Sequence, residues 1–302
     1  MANYGIPYMG SKAKIAASLA LNFPTAENFY DLFGGGFSMT HYMLENKDHR
    51  YNRFFYNEIK SDIVDLVKRA IAGEYSYKVF KPKWISRDDF FANLDDPYIK
   101  VIWSFGNNNQ KGYLFGRDIE HYKKSMHNAV VFDEFDDLAI KVLGFKKWPS
   151  NVNTVKKRRF YLRQKVAFDN KGMKPSDLQK LQQLQQLLQL EQLQQLERLQ
   201  QLEQLPKLNF SSLDYGKVEI LPNSVIYCDP PYAGTTDYGN QFNSVEFLNW
   251  AANIKSPVYI SEYQIKDPRF ELVYSIDKRS ILSSDKTVGN KAERLYWNGV
   301  SL

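Results

Sequence analysis

At Asp229-Pro230-Pro231-Tyr232 an acid, two prolines and an aromatic ring follow directly on the apolar run Val225-Ile226-Tyr227-Cys228. Residues 225–227 read as a short strand suited to the core of a sheet. Each proline fixes φ and removes a backbone donor, and the residue before a proline is pushed out of the helical region. The strand therefore ends in a stiff, extended turn. The chemistry on offer is a fixed hydrogen-bond acceptor beside an aromatic face. An ordinary strand-ending turn uses the same residue types, so other positions have to decide between the two.

Residues 31–38, "DLFGGGFS", run from a strand through Gly34, Gly35 and Gly36 into a helix. This is how a backbone comes close to a nucleotide-like ligand, and also how a tight turn joins strand to helix. Met39 stands where the dinucleotide fingerprint needs its third glycine, which disfavours a pyrophosphate. Glu58 ends the next strand, "FFYNE", where a carboxylate can take both hydroxyls of a ribose; it can equally be an acid facing solvent at a helix start. A ligand with a ribose and no phosphate is implied, and S-adenosylmethionine (AdoMet) fits that description. Near the N-terminus "IPYMGSK" adds Tyr8 and Lys12. Lys12 can pair with the carboxylate of such a ligand, or be a solvated lysine at a helix end.

The elements that must hold these residues alternate. Residues 11–24 read as an amphipathic helix stopped by Pro24, 28–33 as a strand, 37–47 as a helix, 53–58 as a strand and 59–74 as a helix closed near Gly73. Strand and helix in alternation predict a parallel sheet. The pattern returns after residue 205 with "SVIYCDPPY", a helix "SVEFLNWAANI", and the strands "PVYISEY", "FELVYSI" and "RLYWNGV", so both parts are expected in one sheet. Between them lies a block rich in aromatic and basic residues, including "WSFGNNNQKGYLFGR" and "VKKRRFYLRQK". A tract with leucine at every third position follows, residues 178–205. On a 3.6-residue helix that repeat drifts around the axis, which argues against a two-helix coiled coil. A repeat insertion on the surface is the expectation, ahead of a partner-binding element.

At 302 residues, 43% of them hydrophobic and 15% aromatic, the chain has enough to bury a large core. The formal net charge of +6 suits an anionic partner. A single cysteine, Cys228, excludes an internal disulfide and a Cys-rich metal site. No apolar run approaches membrane-spanning length and the N-terminus lacks a signal-peptide core, so a cytoplasmic setting without membrane or metal is expected.

"IPYMGSK", "DLFGGGFS", the acid after the second strand and "DPPY" occur in that order, with a large block before the last. This arrangement resembles the Dam-like, D12-class adenine-N6 DNA methyltransferases of bacteria and phages. The resemblance covers most of the chain outside the leucine–glutamine tract. It departs from the family at Glu58, where Asp is commoner, and in the tract itself. It implies an α/β, Rossmann-like AdoMet-dependent methyltransferase sheet with an inserted, mainly helical target-recognition domain. The domains would be 1–74 with 206–302 for catalysis, 75–175 for DNA recognition and 176–205 for the repeat. AdoMet would be held by Tyr8, Lys12, Asp31, Phe33, Gly34, Gly36, Glu58, Asp229 and, in a loop that contacts its adenine, Phe210. Adenine's N6 is a poor nucleophile with two N–H donors. The Asp229 carboxylate and the Pro230 carbonyl would accept them, Pro231 would stiffen the turn and Tyr232 would stack on a flipped base. Double-stranded DNA would be read by Asn107, Asn108, Asn109, Lys111 and Arg117, with phosphate contacts from "VKKRRFYLRQK". The chain would act as a monomer or weak dimer, in a restriction–modification or other DNA-modification setting, with the repeat as the one element for a partner protein. Enzymes acting on cytosine N4 usually carry Ser in place of the Asp, and several RNA and protein enzymes carry Asn, so Asp229 favours adenine in DNA. An idle binding protein or scaffold need not keep Tyr8, Lys12, Asp31, Glu58 and Asp229 together.

Overall fold

The computed structural model describes residues 4–45, 50–107, 112–168, 187–202, 207–231, 242–277 and 292–302. Tyr232, Asn108, Asn109, Lys111 and repeat residues 178–186 and 203–205 lie outside them. The chain divides into two units, Met1–Lys68 with Gln201–Leu302, and Arg69–Gln200. The described helices are α1 (Ala16–Ala20), α2 (Ser38–Glu45), α3 (Ser61–Ile71), α4 (Arg87–Ala92), α5 (Pro97–Ile102) and α6 (Arg117–Phe132), followed by α7 (Asp137–Leu143), α8 (Val155–Phe168), α9 (Leu188–Leu199) and α10 (Ser244–Asn253). The strands are β1 (Asn28–Asp31), β2 (Arg53–Asn57), β3 (Leu208–Ser211), β4 (Ser224–Cys228), β5 (Val258–Glu262), β6 (Glu271–Asp277) and β7 (Ala292–Trp297).

The first unit is built on one seven-stranded sheet of order β3-β2-β1-β4-β5-β7-β6, drawn from both ends of the sequence as expected. The first five strands pair parallel and β7 runs antiparallel to both its neighbours. β1 and β4 are buried at every residue, which is why they read as continuous apolar runs. Alternate side chains then feed opposite layers. Tyr30, Ile226 and Cys228 pack with Phe247 and Ala251 of α10, while Phe29, Tyr227 and Tyr259 meet Phe23 on the other face.

The first helix is shorter than its pattern. Residues 13–15 form a turn instead and 11–12 stay irregular, because the Lys12 N–H is held by Ser38 Oγ at 3.1 Å and Ile15 N–H closes on Lys12 O. At the other end the Asn22 amide caps the carbonyls of Ser18 and Leu19.

The second unit is helical throughout its described elements, α4 to α9. The repeat supplies a core helix here, and this corrects the surface insertion expected from sequence. Leu190, Leu193, Leu196 and Leu199 of α9 are each 0% exposed. At about 100° per residue, steps of three carry these four leucines around roughly half the circumference. A single buried stripe could not cover them all. The helix has neighbours on several sides. Gln189 meets His127 of α6, Arg159 and Arg163 of α8 reach Gln194 and Glu191, and the Tyr77 hydroxyl and N–H bond Leu190 O and Glu197. Two of its glutamines, Gln189 and Gln194, serve as hydrogen-bonding groups in these flanks.

Candidate active site

Strand order reverses at β1, which has β2 on one side and β4 on the other. In open parallel sheets the crevice beyond the carboxyl ends of the strands at such a switch point is where ligands bind. Asp31 ends β1, Glu58 follows β2 and Asp229 follows β4. Three adjacent strands thus deliver the three carboxylates that the sequence singled out.

The glycine loop between β1 and α2 is shaped by packing. A Cβ on Gly34 would lie 2.2 Å from the Tyr56 ring, and one on Gly36 would lie 2.5 Å from Tyr8 Cβ. Gly35 adopts φ +45°. Its N–H donates to Glu58 Oε2 at 2.9 Å, and its carbonyl accepts from the Tyr56 hydroxyl at 2.7 Å. Glu58 Oε1 takes the Lys60 N–H at 3.1 Å, and the Lys60 ammonium reaches the Tyr8 hydroxyl at 3.4 Å. Burial pushes the Glu58 carboxyl above the usual range against these two donated bonds. Asn57 ties the ends of β1, β2 and β3 together. Its amide donates to Leu32 O and Leu213 O, and its carbonyl accepts from Leu213 N–H and Ser211 Oγ.

Asp31 is 1% exposed, and Thr40 of α2 donates to its Oδ2 at 2.8 Å. Its buried Oδ1 accepts no hydrogen bond among the described residues. Burial drives the carboxyl up to about 7, Thr40 opposes this, and the nearby Asp229 and Glu58 charges add to it. A carboxylate raised in the folded state binds more protons there than in the unfolded chain between pH about 4 and about 7, so stability falls as pH rises through that window. Asp31→Asn is expected to raise the melting temperature of the ligand-free protein at pH 8, at roughly 2–4 °C per kcal/mol recovered. The gain should shrink as pH falls from 7 towards 4. Calorimetry at pH 8 and pH 5 checks this, and an equal gain at both would remove the raised carboxyl.

Lys12 is where the structure adds most. Its ammonium lies 2.7 Å from Asp229 Oδ2 and 3.4 Å from Glu293 Oε1, with its side chain 5% exposed. Burial works against the charge, but the two carboxylates outweigh burial and hold the lysine above its ordinary pKa. The sequence suggested a ligand carboxylate as its partner; the fold gives it two carboxylates of the protein. Glu293, at the start of β7 and 1% exposed, was not foreseen, since an acid in "AERLYW" carries no motif. Only the antiparallel return of β7 beside β5 brings it here. Pro230 is buried and Pro231 half-buried after the strand, as a stiff turn requires.

Phe33 packs its ring against Tyr215, Phe242 and Phe247. Phe210 sits in β3 against Phe37 and Tyr56, with the Lys68 ammonium 5.3 Å from its ring centre.

A family model described as D12 class N6 adenine-specific DNA methyltransferase matches residues 8–257, which include the glycine loop, Glu58 and Asp229. The chain belongs to that family. It is therefore an N6-adenine DNA methyltransferase by descent, and Glu293 stands outside the matched residues. Two structures of the rRNA methyltransferase aviRa from Streptomyces viridochromogenes are similar to this D12-class enzyme at TM-scores of 0.37 and 0.36, with 10% and 11% identity. They cover 98% and 94% of this chain and 88% and 83% of theirs, a likeness too slight to bear on the reaction. No curated protein matches the chain in sequence.

In the second unit of this methyltransferase, residues 103–105 pair antiparallel with 112–114, with Leu114 N–H on Trp103 O, Phe105 N–H on Gly112 O and a bridge between Ser104 and Tyr113. Asn107 follows the first of these segments at φ +60°, its amide held by Val101 O at 2.9 Å. Arg117 is exposed at the first position of α6. Among the described residues no helix is long and apolar enough to cross a membrane.

Proposed function

We propose that the chain uses AdoMet to methylate N6 of an adenine flipped out of double-stranded DNA, with Asp229 and the Pro230 carbonyl as the groups that receive N6. The observation that carries this reading is the convergence of Asp31, Glu58 and Asp229 at the switch point, with Asp229 held by buried Lys12.

The residues present suit the cofactor. The unpartnered Oδ1 of Asp31 is a buried acceptor matched to a cationic or N–H-bearing group. Each Glu58 oxygen accepts one backbone N–H and keeps a lone pair for a hydroxyl. When bound, AdoMet supplies an electrophilic methyl group on a sulfonium sulfur. The protein does the rest by position. Lys12 fixes the Asp229 carboxylate in place through their 2.7 Å ion pair. Asp229 and the Pro230 carbonyl together take the two N–H groups of N6 and draw it toward tetrahedral geometry. Glu293 balances the charge of Lys12, which limits how far that lysine weakens Asp229 as an acceptor. Tyr232 offers the stacking face, and the 69–200 unit reads DNA through Asn107, Asn108, Asn109, Lys111 and Arg117.

The test is plasmid DNA incubated with purified protein and AdoMet, then read by sequencing that distinguishes modified adenine. N6-methyladenine in one short sequence context is expected. An unmodified plasmid, with AdoMet binding measured separately and found intact, would sink the reading.

A further inference from the structure

Residues 141–164 hold eight Lys and Arg and no Asp or Glu, so against a net charge of +6 the rest of the chain carries −2. The positive surplus of the protein is therefore concentrated in one stretch of α7, α8 and the loop between them. The structure sorts these eight. Arg158 and Arg159 are 8% and 9% exposed and serve the fold. Arg158 bonds Val130 O and Asp133, and Arg159 reaches Gln194 of α9. Lys141, Lys146, Lys147, Lys156 and Lys157 are exposed. Arg163 is also exposed and pairs with Glu191 at 2.6 Å.

The loop and the helix are one surface. Phe145 and Trp148 pack on Tyr161 of α8 at 5.8 and 6.0 Å between ring centres, and the Arg158 guanidinium lies 6.0 Å from the Trp148 ring. Lys146 and Lys147 are thereby held beside the helix that carries Lys156 and Lys157. The acids just upstream are partly used within the fold, Asp133 by Arg158 and Asp136 as the cap of α7, while Glu134 and Asp137 are exposed, Asp137 one turn before Lys141; the unmixed face is that of α8 and the loop before it. Phe160 stands among the α8 cations, 63% exposed. A solvated helix face usually mixes both signs and keeps large aromatics inside. A face of one sign around an exposed ring is the chemistry of nucleic-acid contact, with cations for phosphates and an apolar group for sugar or base edges.

We infer that the face made by α8 and the loop before it is a duplex-DNA docking surface, in which Lys146, Lys147, Lys156 and Lys157 neutralise phosphates and Phe160 makes the contact that salt does not screen. This rests on the reading of the site as a DNA methyltransferase and adds where on the 69–200 unit the duplex lies. The face contributes affinity irrespective of sequence, separately from Asn107 and its neighbours in the chain.

The test compares the full chain with Lys156→Ala/Lys157→Ala and with Phe160→Ala, all exposed positions whose change leaves the core intact. Binding to a short duplex is measured across a salt series, alongside AdoMet binding. The double variant should lose affinity on the order of tenfold for any duplex sequence and flatten the log–log salt slope by roughly 1.8, about 0.9 for each phosphate contact. Phe160→Ala should lose affinity with the slope unchanged, and AdoMet binding should be unaffected in both. A double variant with the parent's affinity and slope overturns the proposal. So does a variant that keeps DNA binding but loses affinity for duplex RNA or for a second copy of the chain. If the parent itself neither binds nor methylates DNA, the functional reading has failed; if it does both and the variants match it, only this face is wrong.

Discussion

Asp229→Ala is expected to stop methyl transfer, with kcat falling on the order of 10³-fold while AdoMet and DNA bind only modestly more weakly. The size follows from what is lost. A preorganised acceptor in a site that excludes water contributes about 10²–10³-fold, and here the same group also orients the nucleophile. Lys12 would keep Glu293 as its partner at 3.4 Å, so the substitution does not leave a buried cation alone. Asp229→Asn retains an acceptor oxygen but loses the ion pair with Lys12, and should fall between the parent and the alanine variant. Single-turnover transfer to a defined duplex, with AdoMet titration and a melting curve as controls, separates chemistry from binding and folding. An alanine variant within tenfold of the parent would free Asp229 of this role.

Leu193→Ala and Leu196→Ala should each lower stability by roughly 2–5 kcal/mol, the cost of emptying a fully buried leucine site. A surface repeat would lose almost nothing. Gln201→Ala, at an exposed position beyond the helix, is the control and should stay within about 0.5 kcal/mol. Urea titration of the three variants gives the answer. If the leucine variants matched Gln201→Ala, α9 would be an ornament after all. Shortening the repeat through residues 188–199 is accordingly expected to damage the 69–200 unit, because each three-residue step presents its leucine to a different neighbour.

Much of the catalytic unit was legible because its signals are local. Two prolines after an apolar run stop a strand whatever surrounds it. A Gly-Gly-Gly turn between strand and helix shows that side chains are excluded, although sequence could not say by what. The answer is the rings of Tyr8 and Tyr56, which come from elsewhere in the chain. The repeat was misplaced for a related reason. Its three-residue period was correctly seen to spiral, but whether a spiral of leucines is exposed or enclosed depends on how many neighbours surround it.

Local rules suffice for the order of the motifs, the strand-ending acids and the alternation that makes a parallel sheet. Those follow from φ restrictions, periodicity and residue type, which act over a few residues. The tertiary structure decided which charges meet. Lys12, Asp229 and Glu293 are separated by more than two hundred and by more than sixty residues of chain, and no local rule links them. They come together because β4 lies at the switch point and β7 returns antiparallel beside β5. Burial there makes an unpaired charge costly, and the pairing of Lys12 with Asp229 and Glu293 meets that cost.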